Sequence, residues 1–264
     1  MLPLIAPQEI ARLVTRAGVA KAKMSLDVYI IKAFLGGVFI SLGGLADLVI
    51  VSGCYGLRES NPTIATMLGG FLFPVGFVLI ILTNQELCTS NMFVLAFTTL
   101  QRKTTVWDLA KNWVVTYVGN LLGCLFVAGF LAWWSDTFSL DEEKSYVVSQ
   151  ANDRVNVQWS VNLLRGVGCN LFVAMAMFLS LGSVEFVSKI YAIWIPIWYV
   201  CRLTLPTLQL FTVFGPPVSA TFAVVDRLCS TLHCPTNILG GEDIILIGSF
   251  RSHPPLSSLT NTLF

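Results

Sequence analysis

Four long apolar runs limit what this chain can fold into. They cover residues 28–51, 63–82, 113–134 and 166–184. Each is long enough to cross the hydrocarbon core of a bilayer, which takes about 20 residues in a helix. A fifth run, 190–201, has only 12 residues and is too short to span alone. Because a backbone in lipid must satisfy its own hydrogen bonds, the runs predict an all-α integral membrane protein.

The composition supports lipid as the solvent for much of the chain. Hydrophobic residues make up 55% of the 264 residues and charged residues 12%, whereas about a quarter of an average soluble domain is charged. The net charge of +1 gives no argument for nucleic acid as a partner. No nucleophile–base pair or phosphate-binding loop is visible, and the spacing of Cys229, His233 and Cys234 fits no common zinc site. We therefore expect neither an enzyme nor a cofactor or metal.

The charges outside the runs predict three parts and an orientation. Residues 1–27 are basic and have the pattern of an amphipathic helix with Pro7 near its start, 28–201 form the membrane channel domain, and 202–264 form a divergent tail for which disorder is an open expectation. The segment 101–111 is also basic, whereas 135–162 is acidic. Because basic loops stay on the cytoplasmic side, we expect a multi-pass protein, placed in the plasma membrane, with a cytoplasmic N-terminus.

A polar stretch follows the second run. Residues 82–93 read LTNQELCTSNMF, and the nine residues 92–100 that end the segment are too few for another crossing. The basic segments 1–27 and 101–111 lie on the same side of the membrane, so the chain must cross an even number of times between them. The first run supplies one crossing. Residues 63–100 therefore supply one more, as two helical pieces with a break at 83–91. Broken helices mark the solute site in many transporters. The alternative is a helix that ends at Leu82 and a cytoplasmic loop.

Several segments resemble the formate/nitrite transporter family. They are GVFISLGG in the first run, FPVGFVLIILTNQELCTSNMF at the break, LAKNWVVTYVGNLLG in the third run and LLRGVGCNLFVAMAMFLSL in the fourth, together spanning about residues 9–200. The resemblance implies an aquaporin-like bundle of spanning helices in two inverted repeats, with broken second and fifth helices, assembled as a homopentamer with one pore in each protomer. It also implies passage of small monovalent weak-acid anions such as formate or nitrite, accompanied by a proton.

The resemblance further implies which residues line the substrate pathway. Phe73 and Phe77 match residues at narrow points, Leu87 and Cys88 match the tip of a gating loop, Thr89 matches a hydroxyl that contacts the solute, Arg154 stands at the outer mouth, and Asn170 and Val173 match an amide and a constriction in the fourth helix. Without the family, a phenylalanine pair four residues apart is more typical of packing or lipid contact. Arg154 is then equally well explained as a solvated loop charge.

The C-terminal part departs from the family pattern. The family places a histidine in the break of the fifth helix, but the only histidines here, His233 and His253, lie beside no apolar span. Three prolines interrupt the last apolar stretch, so we expect the sixth helix to be missing or degenerate.

The likeness to the family stops abruptly near Tyr199, which favours a changed reading frame or retained intron. Such a chain is expected to transport poorly or not at all, and translation of all three frames tests this.

Three functions remain open from the sequence. The leading one is an anion channel or proton-coupled transporter. The second is a truncated or frame-altered family member without transport activity. The third is a neutral-solute channel of the aquaporin type, which is weakened because only Asn-Pro-Thr at 61–63 approaches the Asn-Pro-Ala element of that family.

Overall fold

All regular structure in the described part of the chain is helical. The computed structural model describes residues 5–155 and 158–203. In chain order the helices are α1 (Pro7–Ala22), α2 (Leu26–Gly53), α3 (Tyr55–Ser60), α4 (Pro62–Leu72), α5 (Pro74–Leu82), α6 (Cys88–Leu100), α7 (Val106–Phe126) with a π-helical extension (Val127–Trp134), α8 (Asp141–Val155), α9 (Trp159–Gly182) and α10 (Phe186–Leu203). The all-α fold class predicted from the apolar runs is confirmed.

Among residues 5–155 and 158–203, four helical segments are long and apolar enough to cross a membrane. They are Leu26–Gly53, Pro62–Leu82, Val106–Trp134 and Leu164–Gly182, and they correspond to the four long runs of the sequence. The short fifth run lies in α10, whose 18 residues extend beyond it at both ends. Helices therefore continue past the apolar residues that predicted them, because a helix end depends on capping and not on hydropathy alone.

The second crossing is divided into two helices at Pro74. α4 ends at Leu72 and α5 starts at Pro74, while Phe73 between them keeps helical dihedral angles of φ −51° and ψ −42°. Proline lacks an N–H and its ring clashes with the carbonyl four residues earlier, which kinks a helix. The sequence reading treated 63–82 as one run, and the structure divides it into two helices.

α2 lies between α7 and the α4–α5 crossing, and glycines bring the three into close contact. A Cβ on Gly37 would lie 2.2 Å from the carbonyl oxygen of Asn120, and one on Gly123 would lie equally close to a carbonyl of α2. On the other side, a Cβ on Gly43 would lie 2.5 Å from the carbonyl oxygen of Phe73. Small residues let membrane helices approach closely, so these glycines set the spacing of the helices around the site.

The N-terminal helix α1 is docked on the bundle. Val14 is fully buried, whereas Arg12 is exposed. Gly18 lies so close to Thr98 of α6 that a Cβ there would overlap the threonine hydroxyl. This apolar face fixes α1 against α6 and carries Lys21, at its end, to the edge of the break.

A second, smaller cluster holds α8. Leu48 of α2 packs with Phe138 and Val147, and the guanidinium of Arg58 lies 4.1 Å from the ring centre of Tyr146. The segment between the third and fourth spans is thus attached to the end of α2 by apolar contacts and to α3 by a cation–π contact.

Candidate functional site

The polar stretch begins with a helix end closed by local hydrogen bonds. Asn84 has φ 54°, its N–H donates to the Ile81 carbonyl at 3.3 Å, and the Gln85 N–H donates to the Ile80 carbonyl at 2.9 Å. This pair of bonds is a Schellman cap, which needs a left-handed residue just after the helix. Asparagine tolerates that conformation better than most residues, which explains why Asn84 is suited to this position.

The interruption is shorter than the sequence reading had it. The helix stops at Leu82 and resumes at Cys88, so Thr89, Ser90 and Asn91 belong to the first turns of α6. Glu86 and Leu87 are 1% and 0% exposed. The stretch is therefore not a solvated loop throughout, because its second half enters the protein interior.

Glu86 forms a buried ion pair with α1. The Nζ atom of Lys21 lies 2.6 Å from both carboxylate oxygens of Glu86. Burial lowers the pKa of Lys21, and the charge of Glu86 counteracts part of that effect. Removing one partner of such a pair leaves an uncompensated buried charge. The glutamate of the polar stretch is thus bound to the N-terminal helix.

A hydrogen-bonded network extends from Glu86 to α7. The amide nitrogen of Asn91 lies 2.8 Å from a carboxylate oxygen of Glu86 and 3.1 Å from the amide oxygen of Asn112. The hydroxyl of Tyr29 donates to the Asn112 carbonyl at 3.0 Å and also contacts the hydroxyl of Thr116. Polar side chains of α2, α6 and α7 therefore satisfy one another in the interior, although the amide oxygen of Asn91 has no partner within the described residues.

Asn120, two turns further along α7, bonds the backbone of the interruption. Its side chain contacts the carbonyl of Glu86 and the N–H of Cys88, while the N–H of Glu86 donates to the carbonyl of Lys32 on α2. The non-helical residues thus take their hydrogen bonds from neighbouring helices.

Four of the predicted pathway residues lie together. Phe73, Phe77, Leu87 and Val173 are all nearly or fully buried and belong to one apolar cluster, which residues of α2, α9 and α10 complete. Since these side chains come from α4–α5, the break and α9, the structure joins positions as far apart in the chain as Phe73 and Val173. The cluster can form a dry constriction between the interruption and α9.

Two predicted polar residues have unsatisfied atoms. The hydroxyl of Thr89 is buried and has no hydrogen-bond partner within the described part of the chain. The amide nitrogen of Asn170 donates to the Gly166 carbonyl at 2.9 Å, but its oxygen also has no partner there. A buried polar atom without a partner costs about 1–3 kcal/mol. Such atoms are available to bind a solute.

The remaining predicted residues are placed differently. The thiol of Cys88 lies 3.9 Å from the carbonyl oxygen of Trp113 on α7, and Cys88 is not a member of the apolar cluster that holds Leu87. The backbone of Arg154 belongs to α8, but its side chain is outside what the structure describes. His233, His253 and the region of the sixth helix, which we expect to be missing or degenerate, also lie outside the described residues.

Several residues that build the site were not predicted from the sequence. They are Lys21, Tyr29, Asn112, Thr116 and Asn120, whereas Glu86 and Asn91 lie in the predicted break but were given no role there. One signal was present for part of this set: Asn112, Thr116 and Asn120 recur every four residues within an apolar run, which places three polar groups along one stripe of a helix. No such signal connects Lys21 with Glu86.

Comparison with known proteins assigns the family. The model of the formate/nitrite transporter family matches residues 8–206. This chain belongs to the formate/nitrite transporter family. The resemblance stated from the quoted segments is thereby confirmed, and the spans are those of an integral membrane transport protein.

Relatives with similar sequences cover the same part of the chain. The chain is 36% identical to the formate channel BtFdhC of Bacillus thuringiensis over 194 residues, which is 72% of each protein. It is 34% identical to the uncharacterized transporter YrhG of Bacillus subtilis (strain 168), over 72% of this chain and 71% of that protein.

Solved structures show the same fold. A pentameric formate channel with formate bound aligns with a TM-score of 0.62 at 19% identity, over 80% of this chain and 78% of the other. A second channel of the family aligns with a TM-score of 0.66 at 18% identity, over 85% of this chain and 94% of the other. The fold is therefore the aquaporin-like helical bundle of this formate/nitrite transporter family.

Proposed function

We propose that this protein conducts small monovalent anions of weak acids, such as formate or nitrite, across a membrane together with a proton. The observation that carries the proposal is the unsatisfied hydroxyl of Thr89, which is buried in the first turn of α6, directly after the interruption. Membership of the transporter family and the similarity to a protein named as a formate channel support it.

The physical chemistry favours movement of a neutral acid through the apolar cluster. Taking a bare carboxylate-sized ion into a dry site costs about 20 kcal/mol in an idealised estimate and several kcal/mol after relaxation. Protonating a carboxylic acid of pKa about 4 at pH 7 costs about 4 kcal/mol. Protonation is therefore competitive with passage of the bare anion. The proposal assigns the proton to no side chain of the described residues.

Each proposed pathway residue has a role in this scheme. Arg154 concentrates the anion at the outer mouth. Phe73, Phe77, Leu87 and Val173 form the dry constriction, and Thr89 and Asn170 replace water around the solute. Cys88 stays at the loop tip as a residue of the pathway wall.

Assembly and orientation follow from the same proposal. We infer a homopentamer, since a pentameric formate channel shares the fold. The protein lies in the plasma membrane with α1 in the cytoplasm, because the basic residues of 1–27 and 101–111 stay on that side.

Formate uptake into proteoliposomes that contain the purified full chain tests the proposal. Thr89→Val removes the unsatisfied hydroxyl and should lower uptake about tenfold, which corresponds to about 1.4 kcal/mol. Thr98→Val is the matched control: it lies on the same helix, and its hydroxyl is already bonded to the Val94 carbonyl at 2.7 Å. Equal uptake by the Thr89→Val variant and the unchanged protein would exclude the role of that hydroxyl.

The same assay separates the proposal from its alternatives. If a proton accompanies the anion, uptake should rise as the external pH falls, by up to about tenfold per pH unit well above the pKa of the acid. The formate channel BtFdhC serves as the positive control. Absence of uptake by this chain beside an active control would support the frame-altered, non-transporting hypothesis, and glycerol uptake without formate uptake would support a neutral-solute channel.

A further inference from the structure

Asn120 is a buried asparagine whose side chain is fully used in hydrogen bonds. It is 3% exposed and lies on α7. Its amide nitrogen donates to the carbonyls of Glu86 at 2.9 Å and Ala33 at 2.7 Å, and its amide oxygen accepts from the N–H of Cys88 at 2.9 Å. One side chain therefore bonds both sides of Leu87 in the interruption and joins them to α2.

The interruption needs such a partner. The first N–H groups of a helix have no partner within that helix, and there is no water in a bilayer core to replace it. Leu87 is the residue that precedes α6, and its side chain makes no capping hydrogen bond. Asn120 supplies the missing acceptor from another helix. It also supplies a donor to the Glu86 carbonyl, which lies outside any helix.

The packing around these bonds leaves little room for another arrangement. A Cβ on Gly36 would lie 2.2 Å from the Glu86 carbonyl oxygen and 3.1 Å from the amide nitrogen of Asn120. A Cβ on Gly37 would lie 2.2 Å from the carbonyl oxygen of Asn120 itself. The backbone of α2 thus packs against both the amide of Asn120 and the peptide that it bonds, which leaves the hydrogen bonds to Asn120 little freedom to rearrange.

We propose that Asn120 is a positioning residue of the anion pathway. It holds the Glu86–Cys88 peptides and thereby sets where Leu87 and Thr89 stand relative to the apolar cluster. It does not contact the solute. The structural part of this inference stands on the hydrogen bonds alone, whereas its consequence for transport rests on the proposed function.

Two cysteines provide a direct readout. Cys88 is bonded to Asn120, and Cys124 lies one turn beyond Asn120 on the same helix with 1% of its surface exposed. The purified full chain in lipid nanodiscs is treated with N-ethylmaleimide, and mass spectrometry measures the alkylation rate of each thiol. Loss of one buried hydrogen-bonded contact should raise the rate at Cys88 about tenfold through local opening, with less than about a twofold change at Cys124.

The variants separate positioning from general loosening. Asn120→Asp keeps the shape and an acceptor but removes the NH2 group, and Asn120→Ser serves if the aspartate prevents folding. Asn112→Asp is the matched control, since Asn112 is 4% exposed on the same helix but bonds a side chain, not the interruption. We expect the Cys88-to-Cys124 rate ratio to rise only in the Asn120 variants. A ratio that stays constant, or rises equally in the Asn112 variant, overturns the inference.

Formate uptake by the same preparations tests the consequence for transport. We expect about a tenfold lower uptake for Asn120→Asp per folded protein, in parallel with the thiol ratio. Unchanged uptake beside a raised ratio overturns the role in the pathway. If the unchanged protein takes up no formate while BtFdhC does, the proposed function fails, and the thiol ratio still decides whether Asn120 positions the interruption.

Discussion

Asn120 on α7 and Asn170 on α9 are two asparagines that face the interior from different helices, and they are bonded in opposite ways. Asn120 uses both its amide nitrogen and its amide oxygen in bonds to α2 and the interruption. Asn170 donates only within its own helix, and its oxygen has no partner among the described residues. Two threonines differ in the same way. The hydroxyl of Thr89 has no partner among the described residues, whereas the hydroxyl of Thr116 donates to the Asn112 carbonyl at 2.6 Å.

The difference separates two kinds of polar group in one membrane protein. Buried polar groups are normally hydrogen-bonded because an unpaired one costs about 1–3 kcal/mol. The groups on the α7 side follow this rule almost completely and hold the broken backbone together. Thr89 and Asn170 depart from it, as do the amide oxygens of Gln85 and Asn91, and we propose a solute contact for Thr89 and Asn170. Four experiments can break or sharpen this comparison.

Lys21→Met should have the largest effect, because it leaves the Glu86 carboxylate buried without its countercharge. Breaking a buried ion pair costs about 3–5 kcal/mol, so we expect the thermal midpoint in detergent to fall by about 10 °C. Lys23→Met, at an exposed position two residues away, is the control and should change the midpoint little. The Lys21→Met/Glu86→Gln double variant should recover much of the loss. A Lys21→Met midpoint equal to that of the unchanged protein would show that the pair is not part of the scaffold.

Asn120→Leu and Asn170→Leu test the two asparagines directly. Asn120→Leu leaves the Cys88 N–H and the Glu86 carbonyl without the side chain that bonds them, so we expect this variant to lose about 2–3 kcal/mol of stability. Asn170→Leu removes no hydrogen bond to a backbone group outside a helix. It should lower the stability by less than about 1 kcal/mol, whereas formate uptake should fall. Thermal unfolding and uptake of both variants are measured together. Equal destabilisation by the two substitutions would remove the distinction between scaffold and pathway.

Tyr29→Phe should have a smaller effect on the scaffold. It removes the hydroxyl that donates to the Asn112 carbonyl, which should lower the stability by about 1 kcal/mol. Tyr55→Phe is the matched control, because its exposed hydroxyl bonds Glu59 at 2.7 Å and an exposed bond of this kind contributes little. The hypothesis of a satisfied network on α7 would be wrong if the two substitutions had the same thermal midpoint.

Arg154→Glu should have the smallest effect and one that depends on salt. If the guanidinium concentrates anions at the mouth, formate uptake should fall a few-fold at low ionic strength and much less at physiological salt, where charges are screened over about 8–10 Å. Arg58→Glu is a useful comparison, since Arg58 lies on the ring of Tyr146. An effect of Arg154→Glu that is equal at all salt concentrations would argue against electrostatic attraction.

The fold was largely predictable, and the site only in part. Apolar runs located the four spans, and the polar residues after Leu82 located the interruption, because hydrophobic burial and helix periodicity are local properties. The division at Pro74 was also open to local reasoning, since proline interrupts a helix wherever it stands. Phe73, Phe77, Leu87 and Val173 were named from the family resemblance, and their common cluster is a property of the tertiary structure.

The amino-acid sequence by itself determined that this chain is helical, belongs in a membrane and contains a polar interruption with a glutamate. Only the tertiary structure decided what that glutamate contacts. Lys21 precedes Glu86 by 65 positions and Asn120 follows it by 34, and no periodicity relates residues that far apart. Periodicity states which face of a helix is buried, but the glycines of α2 decide which helix it meets and how closely. The satisfied state of Asn120 and the unsatisfied state of Thr89 follow from that packing, because a hydrogen bond depends on distances of a few tenths of an ångström.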